Sequence, residues 1–165
     1  MLLFERTDIQ GAFLIKPQRI EDERGYFART WSRDEFAERN LETRLLQCSV
    51  SFNKISGTLR GMHYQAEPYG EVKLVRCTRG SIYDVILDLR PESDTFGRWQ
   101  AFELSTENGF MLYIPRLVAH GFQTLEDASE VFYQISEVYV PKAARGVRYD
   151  DPTFAIKWPL EIACI

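Results

Sequence analysis

From Ala12 to Tyr139 the chain is divided into short runs of β-forming residues by clusters of Gly, Pro, Asn and Asp, and one segment alone carries helix signals. That pattern restricts the fold to a mainly β barrel or sandwich. The strand candidates are Ala12 to Ile15, Leu45 to Phe52, Trp99 to Leu104, Met111 to Ile114, Gly121 to Leu125 and Ser129 to Tyr139. Val72 to Cys77 and Ile82 to Leu89, joined by Thr78-Arg79-Gly80-Ser81, read as a hairpin. In its second arm Tyr83, Val85, Leu87 and Leu89 share one face and Asp84 and Asp88 the other. The first face is expected in the core, and the second to be polar or to line a cavity. The helix is expected over Ser32 to Asn40. Ser32 with Glu35 forms a capping-box pattern, and Asp34 and Glu35 suit the first turn. A surface helix flanking a β domain is the expected role.

A chain of 165 residues fits one domain, 1–165, with a full hydrophobic core. No repeat, linker or low-complexity tract interrupts it. The formal net charge of −4 gives no basic nucleic-acid surface, although local arginines can still dominate a cleft. Cys48, Cys77 and Cys164 are odd in number and form no Cys-x-x-Cys, which argues against a disulfide framework and a zinc knuckle. Cys48 and Cys77 are expected to be small buried apolar residues. A reduced, cytoplasmic setting fits. The start, Met1 to Arg6, lacks a secretory apolar core, and no run approaches the roughly 20 apolar residues of a membrane span.

Both histidines lie among glycines and apolar β-formers: His63 in Gly57-Thr58-Leu59-Arg60-Gly61-Met62-His63-Tyr64-Gln65, and His120 in Ile114 to Phe122. Histidine suits proton transfer near neutral pH. His63 is a candidate base. Tyr133 is a candidate proton donor, and by period-2 counting shares a strand face with Tyr139. Lys73, Arg60 and Arg24 are candidates to hold an anion or stabilise negative charge. A metal site from His63, His120 and Glu71 is short of ligands. No Gly-x-Ser-x-Gly elbow and no phosphate loop is present. Each candidate also has an ordinary structural reading: a packed tyrosine, a solvated lysine, a hydrogen-bonded histidine.

Taken together, several runs resemble the dTDP-4-dehydrorhamnose 3,5-epimerase family. They are Asp22-Glu23-Arg24-Gly25-Tyr26-Phe27, Thr58 to Gln65, Lys73-Leu74-Val75-Arg76-Cys77, Asp84 to Arg90, Pro115 to Phe122 and Trp158-Pro159-Leu160. The resemblance implies a cupin-type jelly roll (a double-stranded β-helix barrel) with one or two short helices. It implies a homodimer with exchanged N-terminal strands and no metal or organic cofactor, while the net charge and the lack of a long apolar run lead to the expectation of no nucleic-acid or membrane partner. The implied substrate is a dTDP-linked 4-keto-6-deoxyhexose. The implied chemistry inverts C3, C5 or both through an enolate, because the C4 ketone acidifies its neighbours.

The resemblance makes His63 the base, Tyr133 the proton donor and Lys73 the partner of the enolate oxygen. It makes Arg24, Phe27, Gln47, Ser49, Arg60, His120 and Tyr139 substrate contacts. Asp84 is expected to hydrogen-bond one of the histidines and fix its tautomer. Three positions depart from the family pattern: Arg29 and Ala144 stand where it has Glu, and Ser49 where it often has Asn. The pattern continues beyond Trp158-Pro159-Leu160 into a Ser-x-x-Asp whose carboxylate pairs with the base, and the sequence reaches Ile165 ahead of it. Other activities fit the same residues: a 3,4-ketoisomerase of the same substrate class, a non-catalytic nucleotide-sugar-binding cupin, or a metal-dependent cupin oxygenase.

Overall fold

A computed structural model describes all residues, 1–165. Thirteen strands and one short helix follow in chain order. The strands are β1 (Leu2–Arg6), β2 (Phe13–Pro17), β3 (Arg19–Asp22), β4 (Gly25–Ala28), β5 (Gln47–Asn53), β6 (Leu59–Gln65), β7 (Lys73–Arg79), β8 (Ser81–Asp88), β9 (Trp99–Ser105), β10 (Met111–Ile114), β11 (Val118–Thr124), β12 (Ser129–Ile135) and β13 (Ala144–Gly146); α1 (Arg33–Ala37) lies between β4 and β5. One sheet has the order β1-β2-β10-β7-β12-β5 and the other β13-β6-β11-β8-β9; β3 and β4 form a separate ribbon. All pairings between these strands are antiparallel. The two main sheets close on a shared core, giving a cupin-type jelly roll.

The expected hairpin of the 72–89 region does not form. β7 bonds to β10 and β12, whereas β8 bonds to β11 and β9. Gly80, at φ +74°, turns the chain from one sheet to the other. Val75 and Cys77 then meet Ile82 and Ile86 across the barrel core. Alternation and a tight turn look the same in a hairpin and in a corner between sheets, since both bury one face of each arm.

β8 is buried on both faces. Val85 and Leu87 pack outward beneath the C-terminal segment, with Tyr83, Leu89, Ile156 and Trp158. Ile82 and Ile86 enter the barrel core beside Asp84. Asp88 is fully buried, and its carboxylate takes hydrogen bonds from Arg90 Nε (2.8 Å), Ser93 Oγ (2.6 Å) and Thr95 Oγ1 (2.6 Å). Its burial is outweighed by these donors, which hold its pKa down at about 2.

The helix is shorter than expected. Ser32 occupies the N-cap position without a side-chain cap hydrogen bond. The capping box is absent because Glu35 Oε2 accepts instead from the Leu2 amide at 2.8 Å. Glu35 thereby ties the helix to β1. Phe36 is its buried anchor, within 5.3 Å of Phe4 and 6.0 Å of Tyr113 between ring centroids. Asn40, at φ +56°, marks the end of the helical segment. Of the cysteines, Cys77 is buried as expected but Cys48 is exposed on the outer face of edge strand β5. No helix is long and apolar enough to cross a membrane.

Candidate active site

A cavity of about 840 Å³ opens at one end of the barrel, lined by β5, β6, β7, β11, β12 and β13. A β-bulge shapes its floor. In the pairing of β11 with β6, His120 stands opposite His63 and Phe122 opposite Arg60, so β6 carries one extra residue between them. Strict alternation would send Arg60 and His63, three apart, to opposite faces. The bulge turns both into the cavity. It is accommodated by two glycines: a Cβ on Gly61 would collide with the Gly121 backbone and the His120 carbonyl, and a Cβ on Gly121 would meet the Arg60 carbonyl at 2.7 Å. Gly61 also sits at φ +116°, a conformation that side-chain-bearing residues rarely adopt.

His63 projects into the open cavity from the five-stranded sheet. Desolvation by the walls, then the charge of Lys73, then His120, depress its pKa below the usual imidazole value. Tyr133 enters the same cavity from the six-stranded sheet. Burial and the Asp84 carboxylate push its phenol far above its ordinary range, with Arg60 opposing. At neutral pH the pair is therefore a free imidazole and a protonated phenol, the states a base and an acid require. His120 is packed against Tyr133, ring edge to face at 5.9 Å. His120 Nε2 lies 2.8 Å from Asp84 Oδ2, within hydrogen-bond distance. Asp84 is fully buried and its other oxygen has no partner, so burial raises its pKa while His120 and Lys73 lower it. The carboxylate expected to orient a histidine thus serves His120.

Lys73 begins β7 and bonds to Glu71 (2.8 Å) and the His63 carbonyl (3.3 Å). Arg60 donates through Nε to Asn53 Oδ1 at 2.7 Å, and Asn53 is itself buried between Ser51 and Ser129. β5 runs inside out: polar Gln47, Ser49 and Ser51 face the cavity, while Cys48, Val50 and Phe52 face outward and are exposed. Tyr139 lies beyond the end of β12, so period-2 counting does not apply to it. It reaches the cavity because its amide donates to Gln47 Oε1 at 2.9 Å. Gln65 holds the same loop, accepting from the Val140 amide (2.6 Å) and donating to the Val138 carbonyl (3.1 Å).

Eight of the expected residues thus meet at one cavity: His63, Tyr133, Lys73, Arg60, Gln47, Ser49, His120 and Tyr139. Arg24 and Phe27 do not. They sit on the β3–β4 ribbon, outside the two main sheets, where Arg24 pairs with Asp22 and Phe27 is exposed. The metal arrangement of His63, His120 and Glu71 is not assembled either: Glu71 is taken by Lys73 and His120 by Asp84, and no three His, Cys, Asp or Glu side chains converge. Sequence reasoning missed Asn53, Gln65 and Arg145. Gln65, two residues after His63 on one strand, was the most accessible of them.

A jelly-roll barrel with a ligand-sized cavity at its mouth, its apolar wall set with polar and charged side chains, places the chain among the cupin-type proteins. The chain belongs to the dTDP-4-dehydrorhamnose 3,5-epimerase family, whose sequence model matches residues 6–164. This is a family of isomerases acting on carbohydrates. A relative of that name from Methanothermobacter thermautotrophicus is 45% identical over 160 residues, covering 96% of this chain and 85% of its own. The crystal structure of the Elizabethkingia anophelis enzyme superimposes with a TM-score of 0.95 at 34% identity, covering 99% of this chain and 90% of that one. That of a Legionella pneumophila epimerase in complex with dTDP-4-keto-L-rhamnose superimposes with a TM-score of 0.92 at 33% identity, covering 100% and 87%.

Proposed function

We propose that this protein inverts C3, C5 or both of a dTDP-linked 4-keto-6-deoxyhexose, without a cofactor, by proton transfer between His63 and Tyr133. The observation that carries the reading is a depressed imidazole and a protonated phenol entering one cavity from opposite sheets. His63 removes the proton next to the ketone. The electron pair moves onto the C4 oxygen as an enolate, which the Lys73 ammonium stabilises. The Tyr133 hydroxyl returns a proton from the other face, and the centre is inverted. Asp84 holds the His120 ring in place against Tyr133. Arg60, with its Nε occupied by Asn53, presents its remaining donors to the diphosphate.

Arg24 and Phe27 enter this reading through a second copy of the chain. The outward face of β5, with Val50 at 57% and Phe52 at 48% exposure, is apolar enough to need a cover. The β3–β4 ribbon, with Ile20, Tyr26 and Phe27 exposed, is free to reach across a homodimer into the partner's cavity. The test of function is turnover of the dTDP-linked 4-keto-6-deoxyhexose by the wild type and by His63→Ala. The variant is expected to lose about 10²–10⁴-fold in rate while still binding dTDP. Unimpaired turnover in it would overturn the assignment.

A further inference from the structure

Glu71 is the one acidic side chain that lines the cavity, in a wall that also carries Arg60, Lys73 and Arg145. A carboxylate there works against capture of an anionic ligand, so its presence calls for a local reason. Its Oε1 lies 2.8 Å from Lys73 Nζ, and both side chains are about one-tenth exposed (10% and 11%). In so sheltered a place an unpaired charge is costly. The geometry also counts protons. The ammonium has three N–H groups. One meets Glu71 and a second points to the His63 carbonyl at 3.3 Å. The third is left for the cavity. Lysine carries its charge on a flexible four-carbon stem, and without these two anchors that third donor would have no fixed direction.

We propose that Glu71 is a positioning residue for Lys73, acting on the reaction only through that ammonium. The proposal rests on the reading that Lys73 meets the enolate oxygen. Its test is a double-mutant cycle with Lys73→Met, followed by steady-state kinetics and thermal melts. Glu71→Ala is expected to lower kcat about tenfold, as misplacement of a group at the reacting centre does, with KM changed less than about threefold. Glu71→Met, which fills the same space without an acceptor, is expected to match it, and so separates lost anchoring from lost packing. Glu71→Gln, which keeps an oxygen acceptor for the ammonium, is expected to restore most of kcat. Lys73→Met alone is expected to lower kcat about 10²-fold or more. Adding Glu71→Ala to it is expected to cost less than about a further twofold. Wild-type kcat in both Glu71→Ala and Glu71→Met would overturn the proposal, as would an undiminished Glu71 penalty in the Lys73→Met background. Wild-type turnover in Lys73→Met would instead overturn the role of Lys73 itself.

Discussion

His63 titrates in a setting that disfavours its charged form: cavity walls desolvate it and Lys73 repels a second positive charge. A base must be neutral to accept a proton, so the acid limb of kcat/KM is expected below pH 6.5, with activity falling as pH drops through it. Tyr133 is held far above its ordinary value, so it stays protonated, and no alkaline limb from it is expected below about pH 10. A pH–rate profile checks both, and an acid limb above pH 7 would contradict the assignment of His63. Tyr133→Phe is expected to slow turnover about 10²–10⁴-fold while moving the melting temperature by only a few degrees, because the proposed role of the lost hydroxyl is to donate a proton and the ring that packs is kept. A large drop in melting temperature with turnover intact would contradict that. Much of the candidate site's membership was legible in the sequence, because two rare histidines, a strand tyrosine and a strand lysine sit in distinctive runs, while the roles expected of them came from the resemblance those runs carry. The pairing of Glu71 with Lys73 and of Asn53 with Arg60 was not, since neither partner's role follows from its own strand pattern.

Individual elements depart from simple periodicity where the cavity is built. β5 turns its apolar residues out and its polar ones in, the reverse of a strand on a greasy core. β6 carries the bulge that aims Arg60 and His63 the same way. Gly61→Ala is expected to cost at least about 2–3 kcal/mol of stability, since it adds a Cβ at positive φ against a neighbouring backbone. Calorimetry should register this as a clearly lowered melting temperature, together with reduced activity. An unchanged melting temperature would mean that the strand relaxes without the bulge. The positions of β2, β5, β9, β10 and β12 were legible within a few residues from their β-forming runs and bounding turns. The partnering of β7 and β8 was not, because a one-residue corner between sheets and a hairpin turn share the same local chemistry. The helix was legible but its cap was not: Glu35 found a stronger claim on it in the Leu2 amide, 33 residues away.

At the scale of the whole molecule, the β3–β4 ribbon that carries Arg24 and Phe27 stands outside the two main sheets, and its proposed place is the cavity of a second copy. Phe52→Glu, placed on the outer face of β5, is expected to convert a homodimer to monomers by sedimentation and to weaken substrate binding, since Arg24 and Phe27 of the neighbouring copy would be lost. A wild-type protein that sediments as a monomer with full activity would contradict the shared site. The fold class was legible from the turn-bounded β pattern, and its cupin form from the resemblance. The position of Arg24 and Phe27 outside the cavity was not, because the pattern of a short strand does not say which sheet it joins. The proposed reaction is proton exchange at a carbon beside the sugar ketone, performed by His63 and Tyr133. Proton NMR of the dTDP-linked 4-keto-6-deoxyhexose turning over in deuterium oxide tests it most directly. Solvent deuterium is expected at C3, at C5 or at both with the wild type, and at neither with His63→Ala. Wild-type protein that leaves both carbons unlabelled would rule out proton exchange by His63 and Tyr133.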